Sequence, residues 1–180
     1  AKLNFDMANK NFRLYEIGKV FNIKKESDEN HSGVEEKRKI SGCIFGNINN
    51  ELWNKKDMPD FYTLKGAIEK LFDTLGLEKR VVYSHLKNPD DFKFMHPYQT
   101  ATVELLGKNS LNIGYFGKIH PVLADKMKLN QDLFVFEIDL EEILKSINVS
   151  GTTRYKKLAQ TSPISRDIAF IANKETSNSD

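Results

Sequence analysis

The chain has 180 residues, with 27 basic and 25 acidic side chains, a formal net charge of +2, and 39% hydrophobic and 29% charged residues. A chain of this length buries roughly 70% of its unfolded surface, its composition is that of a water-soluble globular protein, and no apolar run approaches the ~20 residues that span a bilayer. The balanced charge excludes recognition of nucleic acid by bulk electrostatics, the single Cys43 excludes an internal disulfide, and the mixed N-terminal run AKLNFDMANKNF has no secretory leader, so the expected setting is cytoplasmic and away from membranes.

Asn11 to Asn22, NFRLYEIGKVFN, carries apolar residues on both parities, which predicts a strand buried on both faces. The charged stretch that follows to about residue 38, with Asn30 and Gly33 near its centre, predicts a long hairpin connection before a second strand, Ile40 to Phe45, which holds Cys43 as a structural thiol. The helix with the clearest signals runs over 60–75: Asp60 is placed to cap it, Phe61, Leu64, Ile68, Leu71, Phe72 and Leu75 recur at three- and four-residue spacing, and Gly76 supplies the stop. VVYSHL (81–86), TATVELL (100–106), LNIGYFGKI (111–119) and LFVFEIDL (133–140) read as strands, the second and third joined by a tight hairpin at 107–110. Short helices are expected over 121–128 and 140–147. Strands joined mainly by hairpins, with one long helix and two short ones interposed, predict an α+β fold: an antiparallel sheet flanked by helices. Near Asn148 the composition turns small, polar and basic, as in a linker (149–162), and PISRDIAFI (163–171) restarts a strand.

Spacing alone assigns no chemistry. His31, His85, His96 and His120 lack paired metal-ligand spacing, and no G-x-S-x-G elbow or activating group accompanies Ser or Cys43. Glu137, Asp139, Glu141 and Glu142 are an acidic run that suits either a cation or, more simply, a helix start capped by Asp139. The G-x-x-G of IGYFGKIHP (113–121) matches no phosphate-binding loop; in a strand such glycines permit close backbone approach, and His120-Pro121 reads as a strand-to-helix junction. Arg154, Tyr155, Lys156 and Lys157 form a basic-aromatic run able to meet phosphate and stack on a base, with a solvated linker as the plainer reading.

Five segments in order, RLYEIGKVF (13–21), DFYTLKGAIEKLF (60–72), HPYQTATVEL (96–105), IGYFGKIHPVLADKMKL (113–129) and FEIDLEEIL (136–144), resemble the β chain of bacterial phenylalanyl-tRNA synthetases, and SPISRDIAFI (162–171) resembles the opening strand of that family's ferredoxin-like anticodon-binding domain. The resemblance implies a class II synthetase-like, non-catalytic core domain over 1–148, a linker over 149–162, and the first strand of a truncated ferredoxin-like domain over 163–180. It implies a parent enzyme that joins phenylalanine to its tRNA with ATP and magnesium, in which this domain is a scaffold partnered with the α chain in an (αβ)2 assembly and with tRNA. No catalytic, cofactor or metal residue is expected in the chain itself. The resemblance implies that an active class II enzyme would carry phosphate-gripping arginines near the first strand and after FEIDLEEIL; only Arg13 and Arg154 stand there, in surroundings that do not match, which points to an inactive domain. Tyr98 and Gln99 stand where a glycine-arginine pair is expected after His96-Pro97. The apolar face of helix 60–75, with Phe61, Leu64, Ile68 and Phe72, is the expected subunit interface, and Arg154 to Lys157 the expected tRNA contact. The alternative is a stand-alone, non-catalytic synthetase-like protein that binds RNA or regulates.

Overall fold

The computed structural model describes residues 2–7, 10–23, 33–47, 58–86, 88–107, 110–150, 164–171 and 173. Six strands, β1 (Phe12–Ile23), β2 (Val34–Phe45), β3 (Val81–His85), β4 (Met95–Leu105), β5 (Leu111–Ile119) and β6 (Leu133–Asp139), form one antiparallel sheet in the order β1-β2-β6-β5-β4-β3. Helices are α1 (Lys2–Asp6), α2 (Phe61–Thr74), α3 (Pro121–Lys126) and α4 (Leu140–Ser150). Among the described residues no helix is long and apolar enough to cross a membrane.

The α2 helix is fixed at both ends by its own sequence. Asp60 accepts the Thr63 backbone N–H at 2.7 Å while the Thr63 hydroxyl accepts the Asp60 N–H at 3.2 Å, a reciprocal capping box. At the other end Gly76 takes φ +68°, its N–H donates to the Asp73 carbonyl, and Leu77 donates to the Phe72 carbonyl, which stops the helix and buries Leu77 beside Phe72. Leu64, Ile68 and Phe72 face the sheet and, with Ile143 of α4, meet Phe116, Phe134, Ile138 and Val103 in the main core. Both α2 and α4 therefore lie on one face of the sheet. The opposite face carries α3 at one end, where Leu129, Leu133, Phe12 and Phe45 form a second cluster.

The α+β antiparallel architecture agrees with the sequence reading, and three expectations are corrected. The first strand is not buried on both faces. It is the sheet's outer strand, so of its residues only Phe12 is buried, and Tyr15, Ile17, Phe21 and Ile23 are 76%, 55%, 62% and 91% exposed. The second strand starts at Val34 rather than Ile40, because its charged half pairs with β1 in open water: Lys19 lies opposite Arg38, and the like charges are offset by Glu36 at 2.9 Å from Lys19 and Glu141 at 3.3 Å from Arg38. Of the strand expected over 163–171, the described part, 164–171, is irregular, and its Ile164, Ile168, Phe170 and Ile171 are exposed, with no neighbouring strand among the described residues.

Candidate functional site

The strand register collects a polar row across the whole sheet. Glu16 of β1 is opposite Ser41 of β2, Ser41 opposite Glu137 of β6, Glu137 opposite Tyr115 of β5, Tyr115 opposite Thr102 of β4, and Thr102 opposite Ser84 of β3. Opposed residues share a face, so the row lies on the face away from α2 and α4. The neighbouring row, Tyr15, Gly42, Phe136, Phe116, Ala101 and His85, lies on the helical side. The sequence shows the alternation within each strand but not which strands adjoin, so no single segment reveals the row.

The centre of the row is filled by the chain itself. Lys39 bonds Glu137 from the diagonal position. The rings of Phe92 and Phe94 lie 4.8 and 5.7 Å from that of Tyr115, Phe92 coming from a 3₁₀ turn, Pro89–Phe92. Burial, then the Glu137 carboxylate, push the Tyr115 phenol up to about 12. At neutral pH it is a hydrogen-bond donor and no base. Thr102 is buried and donates its hydroxyl to the Ser84 carbonyl at 3.3 Å.

Two His-Pro junctions border this face. His120 takes the Val122 N–H on Nδ1 at 3.2 Å and caps α3, with Pro121 in the first turn, and its own N–H donates to the Phe94 carbonyl at 2.9 Å. The expected junction role of His120 is what the geometry shows. Gly117 and Gly114 are close-approach glycines: a Cβ on Gly114 would strike the Glu137 carbonyl and Ile138 Cα of β6, and one on Gly117 the Gln99 carbonyl and Thr100 Cα of β4. Asp139 accepts the Glu141 and Glu142 N–H groups at 2.9 and 3.2 Å, so the acidic run is a helix start. Among the described residues no three His, Cys, Asp or Glu side chains converge as a metal site would need. Cys43 is half-buried, and burial pushes its thiol up, as for a structural residue.

Of the residues expected at the subunit interface, Leu64, Ile68 and Phe72 are buried against the chain's own sheet, and the half-buried Phe61 stacks on Phe116 at 5.1 Å. What α2 leaves open is a groove of about 810 Å³ beside β3 and β4, lined among others by Tyr62, Lys65, Tyr83, His85 and Tyr98. Arg154, Tyr155, Lys156 and Lys157 lie outside the described residues.

Comparison with known proteins fits this geometry. The fold is shared with pyrrolysyl-tRNA synthetase from Desulfitobacterium hafniense, a class II synthetase, with a TM-score of 0.52 at 15% identity over 82% of this chain and 47% of that one. Phenylalanine--tRNA ligase beta subunits are similar in sequence: that of Geobacillus kaustophilus is 33% identical over 165 residues, covering 91% of this chain and 19% of that protein. That of Oceanobacillus iheyensis is 37% identical over 163 residues, covering 89% and 18%. The chain thus spans about a fifth of the length of the curated relatives it matches. Residues 1–140 match the family model described as the phenylalanyl tRNA synthetase beta chain CLM domain, and the chain belongs to that family.

Proposed function

We propose that the chain is a non-catalytic scaffold domain of a phenylalanyl-tRNA synthetase β subunit, part of a longer polypeptide that works with an α chain in an (αβ)2 enzyme charging tRNA with phenylalanine. In this reading 1–148 is the core domain, 149–162 the linker, which carries Arg154, Tyr155, Lys156 and Lys157 toward tRNA, and 163–180 the opening of a ferredoxin-like anticodon-binding domain. The apolar, unpaired segment 164–171 suits a strand completed by further chain.

The observation that carries the scaffold reading is the filled polar row. A site for an aminoacyl adenylate needs an open, preorganised polar cavity, whereas here the rings of Phe92 and Phe94 lie against that of Tyr115 and Lys39 is bonded to Glu137. In this reading the domain holds no ATP or magnesium. Arg38 is bound to Glu141, Arg80 ties the Leu106 and Ser146 carbonyls together, and the carboxylates of β6 and α4 serve Lys39, Arg38 and the start of α4. A bidentate guanidinium on phosphate is the contact this fold would need there, and no step of the chemistry is routed through this domain.

The test is co-expression of the full product of the native gene with its α chain. The expected result is a complex of two chains of each kind that charges tRNA. A product that charges tRNA alone would overturn the reading.

A further inference from the structure

The helical face of the sheet is covered unevenly. α2 lies over β5 and β6, and α4 over β2. A helix is about 10 Å wide and strands are about 4.8 Å apart, so one helix covers roughly two strands and six strands need about three helices. Of the described helices, α2 and α4 pack on this face, and neither shields the side chains that β1 presents on it. That lane, over β1, carries Tyr15, Ile17, Phe21 and Ile23, with Val34 opposite Ile23. All five are exposed. It is more apolar than the other face of the same strand, which carries Leu14, Glu16, Gly18, Val20 and Asn22.

We infer that this lane is the seat of a third helix, an amphipathic one supplied by the same polypeptide outside the 180 residues. The inference rests on the reading of the chain as part of a longer β subunit. Its relatives carry about four fifths of their length outside the matched region, ample chain to supply it. From Tyr15 to Ile23 the lane runs about 26 Å, which a helix of roughly 18 residues spans. Its apolar stripe meets Tyr15, Ile17, Phe21 and Ile23. Lys19 interrupts the lane and, with Arg38, Glu36 and Glu141, lines a cleft of about 370 Å³ toward α4. The seated helix therefore carries a polar or acidic side chain near its middle, on the flank turned to α4. A strand seated on the outer edge of β1 would leave these side chains in water, so their exposure favours a helix on the face.

The test measures maleimide labelling of Ile17→Cys and Phe21→Cys, each with Cys43→Ser, in the 180-residue chain and in the complete native gene product. Both positions are exposed here, so the substitutions leave the fold intact, which matching circular dichroism verifies. The expected result is a complete product larger than 20.7 kDa in which both thiols react on the order of a hundredfold more slowly than in the short chain, with cross-links from Phe21→Cys to a helical segment of the same polypeptide. Equal labelling in a larger product overturns the helix and leaves the β-subunit reading standing. A native product of 20.7 kDa overturns both. Protection that disappears on dilution, with a doubled mass in sedimentation, assigns the lane to a second copy and overturns the helix.

Discussion

His96 and His120, at the facing ends of β4 and β5, perform the same local task. Each precedes a proline, and each accepts on Nδ1 the backbone N–H two residues on, at 3.2 Å from Tyr98 in one case and 3.2 Å from Val122 in the other. His96 also takes the Gln99 N–H at 3.2 Å. The two bonds accepted by His96 require its Nδ1 to be unprotonated.

That requirement gives stability a pH dependence. Burial, then Lys118 and His120, hold the His96 imidazole below its ordinary value, while Asp132 opposes them. A group depressed in the folded state contributes stability that is present above its unfolded value, about 6.5, and lost as pH falls below it toward the folded value. The urea midpoint is therefore expected to fall between pH 7.5 and pH 5.5. His96→Ala is expected to cost about 1 kcal/mol at pH 7.5, as loss of a cap does, and to reduce the fall. An unchanged pH profile in the variant would show that His96 does not carry it.

α3 ends with Lys128 at φ 55°, where the chain needs a left-handed residue: the Lys128 N–H reaches the Asp125 carbonyl at 2.8 Å and the Leu129 N–H the Ala124 carbonyl at 3.0 Å. A side chain costs roughly 1–2 kcal/mol in this conformation and glycine does not. Lys128→Gly is expected to raise stability by about 1 kcal/mol in thermal unfolding. A lower melting temperature would contradict this account of the helix end.

Two glycines, one in β5 and one in α2, should respond oppositely to alanine. Gly114 has the β6 backbone against the place a Cβ would occupy, whereas Gly66 on α2 has nothing within 4 Å. Gly114→Ala is expected to destabilise by roughly 1–3 kcal/mol, and Gly66→Ala to stabilise by about 1 kcal/mol through helix propensity. Urea titrations of the two variants side by side decide it, and a common sign would refute the close-approach reading.

Phe72 is fully buried between α2 and the sheet. Phe72→Ala is expected to cost about 3–5 kcal/mol, measured by denaturant unfolding. A loss below 1 kcal/mol, combined with failure to assemble with an α chain, would restore this helix face to the subunit interface.

The sequence reveals what is decided locally. Asp60 and Thr63 cap α2 and Gly76 ends it within a few residues of chain, and His120-Pro121 starts α3 the same way. Burial of a strand is decided by its neighbours. The apolar residues of β1 suit an inner strand, yet β1 pairs only with β2 among the described strands, and its helical face is left bare. The apolar face of α2 likewise does not announce whether it meets its own sheet or another chain. The polar row from Glu16 to Ser84 draws one residue from each of six strands, so it exists only once the order of those strands is known.

On the proposed reading, this domain supports an aminoacylating enzyme without performing its chemistry. ATP–pyrophosphate exchange by the purified 180-residue chain with phenylalanine and magnesium tests it most directly. The account predicts exchange no greater than in a sample without phenylalanine. Phenylalanine-dependent exchange by this chain, free of any α chain, would contradict it.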